Sequence, residues 1–82
     1  MELRDYIENG AKEIGSVTAL AKEIGMLPDL LYKAKAHKRG MPGHACVSLS
    51  AILKVDPICI IAASELVTEK HQERIALWQR LS

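Results

Sequence analysis

Apolar residues recur three and four positions apart along most of this chain, which is the spacing that places them on one face of an α-helix. The first series, Leu3, Ile7, Ala11 and Ile14, ends at Gly15, and later series are separated by glycine, serine, aspartate or proline. These residues mark helix ends, because glycine reaches the left-handed conformation and the other three favour the first turn. The pattern predicts an all-α chain of five or six helices. The first four cover about 2–14, 17–24, 28–36 and 44–53, and one long helix or two shorter ones run from 57 to 81.

Several short signals refine these boundaries. Asn9-Gly10 is a weak point in the first helix, which could end or bend there. Ser16 is a good N-cap for the second helix, and Asp56-Pro57 is a clean start for the fifth. The fifth helix is apolar on more than one side, so we expect it at the centre of the bundle or against another chain. Its main stripe is Ile58, Ile61, Ala62, Glu65 and Leu66, and its flanks are Ile60, Ala63 and Val67.

The second and third predicted helices share a compact pattern, in which Ala21, Gly25 and Leu31 stand at the spacing Ala-x3-Gly-x5-Leu. This spacing suits two short helices that cross steeply over a tight turn. The small Ala21 lets the second helix approach closely, and Gly25 supplies positive φ where the chain reverses. We expect the inner faces of the two helices to be lined by Leu20, Ile24, Leu27, Leu31 and Ala34.

At these positions the chain resembles helix-turn-helix DNA-binding proteins of the phage-repressor and Cro type; the alternative is an ordinary αα-hairpin in a small bundle. Asp56-Pro57, the helix after it and the segment 74–81 resemble small repressor-like proteins of filamentous phages and prophages. The resemblance implies one lambda-repressor-like domain over residues 1–82. It also implies that the second helix of the motif enters the major groove of double-stranded DNA.

The resemblance places base readers on the outer side of that helix and phosphate contacts around it. Lys33 is a candidate donor to guanine or phosphate, and Asp29 a candidate acceptor from cytosine. For Tyr32, which could bond a phosphate or pack on a thymine methyl group, a role in the core or in a dimer is the alternative. The candidate DNA-binding residues are Ser16, Val17, Thr18, Pro28, Asp29, Tyr32, Lys33, Lys35, Ala36, Lys38 and Arg39.

The chain departs from the family pattern at several of these positions. The usual Ser or Thr N-cap of the recognition helix is replaced by Leu27, and the usual polar readers by Pro28 and Asp29. The Asn-Gly that often ends this helix is Ala36-His37. A target sequence therefore does not follow from the resemblance.

Charge is distributed unevenly, although the net charge is only +1. Between Leu30 and Val55 there are five Lys or Arg and no Asp or Glu, whereas the remainder holds six basic and ten acidic residues. A positive middle segment on an otherwise acidic chain fits a local phosphate-binding face. The alternative is a solvated basic loop.

A homodimer is expected for two reasons. A chain of 82 residues buries a limited share of its surface, and two half-sites multiply the small specificity of one short helix. The contact is assigned to the C-terminal helices, within 57–81. Trp78 is either its anchor or a plug in the core of the monomer. The candidate interface residues are Ile58, Ile61, Leu77, Trp78 and Leu81.

Other kinds of site have little support in the sequence. The His and Cys residues lack metal-ligand spacing, and no glycine-rich phosphate cradle, nucleophile motif or paired carboxylates occur. No enzyme, metal, cofactor or small-molecule ligand is therefore expected. Cys46 and Cys59 are predicted to be reduced and buried. The charged N-terminus and the short apolar runs predict neither a secretory signal nor a membrane segment, so a bacterial cytoplasm is the expected location.

These observations and the resemblance predict a sequence-specific DNA-binding regulator, namely a phage or prophage repressor that acts on a promoter as a homodimer. Two alternatives stay open. The first is the DNA-binding antitoxin of a toxin–antitoxin pair, whose C-terminal half would bind the toxin. The second is a helical protein–protein adaptor without DNA binding, which the unusual readers Pro28 and Asp29 and the small net charge favour.

Overall fold

The computed structural model describes all 82 residues and contains six α-helices and no strand. The all-α prediction is confirmed, and the last segment is a separate helix rather than an extension of the fifth. The helices are α1 (Leu3–Ile14), α2 (Val17–Glu23), α3 (Pro28–Lys35), α4 (Gly43–Leu53), α5 (Pro57–Thr68) and α6 (Gln72–Leu81).

Local capping explains most of these boundaries, as predicted. Gly15 follows α1 with φ 126°, a value that favours glycine. The Ser16 hydroxyl accepts a hydrogen bond from the Ala19 N–H at 3.0 Å and so caps α2. The Asp56 carboxylate accepts from the Ile58 N–H at 3.0 Å, and Pro57 occupies the first position of α5.

The expected weak point at Asn9-Gly10 does not interrupt α1, which is helical through both residues. Gly10 is buried where α1 approaches α2 and α4. A Cβ atom there would lie 2.6 Å from Cδ1 of Leu49 and 3.0 Å from Cδ2 of Leu20. Gly10 is therefore a site of close helix packing and not a helix break.

A single aliphatic core joins α1 to α5. Leu3, Leu20, Leu31, Leu49 and Ile60 are each fully buried, one from every helix of that set. α1 packs against α2, α3, α4 and α5, so it is the central element. The buried faces of α2 and α3 are fixed by this core, and the opposite faces are left to solvent.

The apolar pattern of α5 left open which of its sides packs against the core. Its buried residues are Ile60, Ala62, Ala63 and Ser64, so the predicted flank faces the core. Ile58, in the predicted stripe, is 37% exposed. Because α5 is apolar on several sides, its periodicity alone did not determine which side packs inward.

The loop between α3 and α4 is tied to α5 by Ser64. The Ser64 hydroxyl accepts from the Met41 N–H at 2.7 Å and donates to the Met41 carbonyl oxygen at 3.2 Å. Met41 and Ser64 are both buried. Gly40 passes so close that a Cβ atom would lie 2.9 Å from the Ser64 carbonyl oxygen. The loop that carries Lys38 and Arg39 is thus anchored at its C-terminal end.

α6 packs against α5, and none of its residues is fully buried. A cleft of about 600 Å³ separates it from the start of α1 and is lined by Leu3, Leu66, Val67 and Ile75, among others. No helix has the length and apolar character needed to cross a membrane.

Candidate nucleic-acid interface

The turn between α2 and α3 is held by backbone and side-chain hydrogen bonds. Gly25 has φ 74°, as predicted for the position where the chain reverses. The Met26 N–H donates to the Ala21 carbonyl oxygen at 2.8 Å and returns the chain to α2. From the first turn of α4, Nε2 of His44 lies 3.2 Å from the Gly25 carbonyl oxygen and donates to it. The angle between α2 and α3 is thus held by the conformation of Gly25, by the hydrogen bond from Met26 to α2 and by the hydrogen bond from His44 of α4.

The outer side of α3 is open to solvent. Asp29, Tyr32, Lys33 and Ala36 are exposed, and Pro28 is half-buried. On the opposite side, the predicted inner residues Leu31 and Ala34 are fully buried, as is Ala21 on α2. The side chains of Asp29, Tyr32, Lys33 and Ala36, which were predicted to face DNA, are therefore accessible.

The predicted inward position of Leu27 is wrong, because its side chain is 64% exposed. Leu27 is the N-cap of α3 and has extended backbone angles, φ −69° and ψ 137°. Its side chain therefore lies outside the helical periodicity that the prediction applied. Met26 is buried instead, and Leu30 packs partly against the core. The signal available in the sequence was Pro28, since proline at the first helical position makes the preceding residue the N-cap.

The end of α3 has the geometry of a glycine-type helix terminus although no glycine is present there. His37 adopts a left-handed conformation, φ 60°. The Lys38 N–H donates to the Lys33 carbonyl oxygen at 2.9 Å, and the His37 N–H donates to that of Ala34 at 3.1 Å. This is the hydrogen-bond pattern of a glycine-type helix terminus. His37 thus fills the position for which glycine or asparagine is favoured.

Four cations lie in α3 and in the loop after it, and none has an acidic partner. The ion pairs of the molecule join Arg4 and His37 to Glu2, and Arg74 to Glu69. Arg39 makes one hydrogen bond within its own loop, from Nε to the Gly40 carbonyl oxygen at 3.4 Å. The four unpaired cations are Lys33, Lys38 and Arg39, which are exposed, and Lys35, which is half-buried. Positive charge without an internal partner is available for a polyanion.

The remaining candidates lie elsewhere. Ser16, Val17 and Thr18 form the start of α2, at the end of that helix away from the turn to α3. Ser16 and Thr18 are exposed, whereas Val17 packs partly against the core. The Ser16 hydroxyl accepts from the Ala19 N–H and the Ser16 carbonyl oxygen accepts from the Leu20 N–H, so Thr18 is the one exposed side chain of this segment without an assigned structural role.

The candidate dimer residues are apolar and partly exposed. Ile58, Leu77 and Leu81 are 37–40% exposed, and Ile61 and Trp78 are half-buried. Trp78 is therefore not a fully buried core residue of the single chain.

Both cysteines are free, but only one is buried as predicted. Cys46 is fully buried, whereas Cys59 is half-buried. Burial raises the pKa of the Cys46 thiol above its ordinary value. No group of three His, Cys, Asp or Glu side chains is arranged to hold a metal ion.

Comparisons with protein-family models, with curated proteins and with solved structures find no match for this chain. What the protein does is therefore inferred from the α2–α3 pair, the cations around it and the apolar surface of α5 and α6.

Proposed function

We propose that this chain is a sequence-specific DNA-binding regulator with a lambda-repressor-like helix-turn-helix domain, and that it represses a promoter as a homodimer. α2 and α3 are the two helices of the motif, and α3 is the recognition helix. The observation that carries the proposal is the exposed outer side of α3, bordered by cations without acidic partners. A helix of this kind fits the major groove, where phosphates line both edges.

The rigidity of the α2–α3 pair supports the same function. Base readout needs side chains held in a fixed register on the duplex, because hydrogen bonds and apolar contacts tolerate little displacement. Ala21 and Leu31 are fully buried in the contact between the helices, and His44 restrains the turn at Gly25. α3 is therefore held by the core rather than by the ligand.

Dimerisation through α5 and α6 is supported by the exposed apolar side chains there. α6 has no fully buried residue in the single chain, and an isolated helix of ten residues is unstable in water. A second copy that covers Leu77, Leu81 and Ile58 would bury this surface. It would also give the protein two recognition helices, which short binding sites of high specificity require.

Two measurements test this function: selection of the DNA fragments that the protein binds from a pool of random duplexes, and the molar mass of the protein in solution. We expect one consensus with two related halves and the mass of two chains. The variant Lys33→Ala should keep its fold but no longer enrich the consensus sequence. Lys70→Ala, which removes an exposed cation far along the chain from α3, should enrich the same consensus as the unmodified protein. A folded protein that retains no duplex even at low salt would overturn the proposal and favour the adaptor function, because the electrostatic contribution to DNA binding is largest there.

A further inference from the structure

The outer side of the proposed recognition helix begins with an exposed leucine. At 64%, Leu27 is the most exposed large hydrophobic residue of the chain. The core does not use its side chain, because Met26 and Leu30 on either side of it provide the packing. Leu27 contributes to the fold through its backbone, since its carbonyl oxygen accepts from the N–H groups of Leu30 and Leu31 at 3.1 and 3.2 Å.

Leucine is also a poor choice for the position it occupies. An N-cap side chain normally accepts a hydrogen bond from the first turn, as Ser16 does for α2 and Asp56 for α5. Leu27 makes no such bond, so α3, like α4 and α6, begins without a side-chain cap. Neither capping nor packing accounts for an exposed aliphatic side chain here, and this observation points to a ligand.

The other exposed residues of α3 and of the loop after it indicate what kind of ligand Leu27 would contact. Exposed Asp29, Tyr32 and Lys33 follow it along α3, and the unpaired cations Lys38 and Arg39 lie in the loop beyond the other end of this helix. An apolar side chain at the start of a helix, with unpaired cations farther along the helix and in the loop after it, complements a polyanion that carries an apolar group. Duplex DNA has such a group on its major-groove edge, which is the C5-methyl of thymine.

We propose that Leu27 is a specificity-determining residue that contacts a thymine methyl group in each half-site. This inference rests on the proposed function, because it assigns a ligand group to the recognition helix. Contact with a methyl group requires neither a donor nor an acceptor, which agrees with the replacement of the usual Ser or Thr N-cap by leucine at this position.

Replacement of thymine by deoxyuridine in the selected duplex tests the inference, since this change removes the methyl group and nothing else. We expect uracil at one position of each half-site to weaken binding of the unmodified protein about fifteenfold, which is about fourfold for each of the two buried methyl groups. Leu27→Ala should bind the thymine and uracil duplexes equally. Val47→Ala, which truncates an exposed residue on α4, should keep the full difference.

A second variant separates the contact from any effect on folding. Leu27→Ser supplies the missing N-cap side chain, so its melting temperature should equal or exceed that of the unmodified protein. It should nevertheless lose the difference between thymine and uracil. If the unmodified protein binds uracil duplexes as well as thymine duplexes at every position, the inference is wrong and the proposed function stands. If Leu27→Ala retains the difference, another residue reads the methyl group and the assignment fails. If no duplex is bound at low salt, the proposed function itself fails.

Discussion

At the scale of single residues, the hydroxyl of Ser64 forms hydrogen bonds with both the backbone N–H and the carbonyl oxygen of Met41. Both residues are buried, so these hydrogen bonds are largely shielded from solvent. Groups left unsatisfied in such a place cost their full desolvation penalty. The connection also fixes the end of the loop that carries two of the proposed phosphate contacts.

We therefore expect Ser64→Ala to lower the free energy of unfolding by about 1–3 kcal/mol. Chemical denaturation followed by the fluorescence of Trp78, the single tryptophan, measures this change. Ser48→Ala is a suitable control, because Ser48 lies in α4 and is only half-buried. A loss of stability no greater than that of the control would show that the two hydrogen bonds contribute little.

Glycines supply a second prediction at this scale. Gly10→Ala should destabilise the protein by about 1–3 kcal/mol, because the new methyl group would overlap Leu49 and Leu20. Gly43→Ala should be neutral or stabilising by up to about 1 kcal/mol, because its φ is not positive and nothing lies within 4 Å of the new atom. Thermal unfolding of the two variants compares them directly. Equal melting temperatures would contradict the close packing at Gly10.

At the scale of elements, α3 and the loop after it have separate roles in the proposed complex. The exposed side chains of α3 would contact bases, whereas Lys38 and Arg39 in the loop would contact phosphates. These roles differ in a measurable way. Loss of a base contact changes the preferred sequence, and loss of a phosphate contact weakens binding to every sequence and releases fewer counterions.

Lys38→Ala and Arg39→Ala should each weaken binding to specific and non-specific duplexes by similar factors. Each should also flatten the logarithmic salt dependence of the binding constant by roughly one unit. Titrations at several salt concentrations measure both effects, with Lys70→Ala as the control that keeps the slope. An unchanged slope in Lys38→Ala or Arg39→Ala would rule out a phosphate contact for that residue.

The elements also show where sequence reasoning succeeded. The boundaries of α2 and α5 follow from Ser16 and from Asp56-Pro57, because a cap acts on backbone groups within about three residues. The outer side of α3 was predicted in most positions for a similar reason, since Leu31 and Ala34 fix the helical phase. The prediction that Leu27 faces inward failed because Leu27 precedes the helix and does not share its phase.

At the scale of the whole molecule, α6 is the least supported element. It packs on α5, contains no fully buried residue and borders a cleft of about 600 Å³. Such a helix gains most from contact with a second chain, because the apolar side chains it exposes would then leave water. Dimerisation and the stability of α6 should therefore be linked.

Leu77→Glu should weaken the dimer by about 2 kcal/mol or more, because a charge would be buried at the contact. This corresponds to roughly a thirtyfold higher dissociation constant. Analytical ultracentrifugation measures the change, and circular dichroism checks that the helices remain. Val47→Glu alters an exposed apolar residue of α4 and should leave the dimer intact. A dimer that is insensitive to Leu77→Glu would place the contact elsewhere.

The amino-acid sequence by itself determined the all-helical class, most helix boundaries and the inner side of the α2–α3 pair. Each of these depends on caps and on periodicity, which act between residues that are close along the chain. Only the tertiary structure decided that Gly10 is a packing site, that Ile60 and Ala63 turn α5 toward the core, and that Ser64 holds Met41. It also decided that Leu27 is exposed. These features depend on which helices meet, and residues far apart along the chain decide that together.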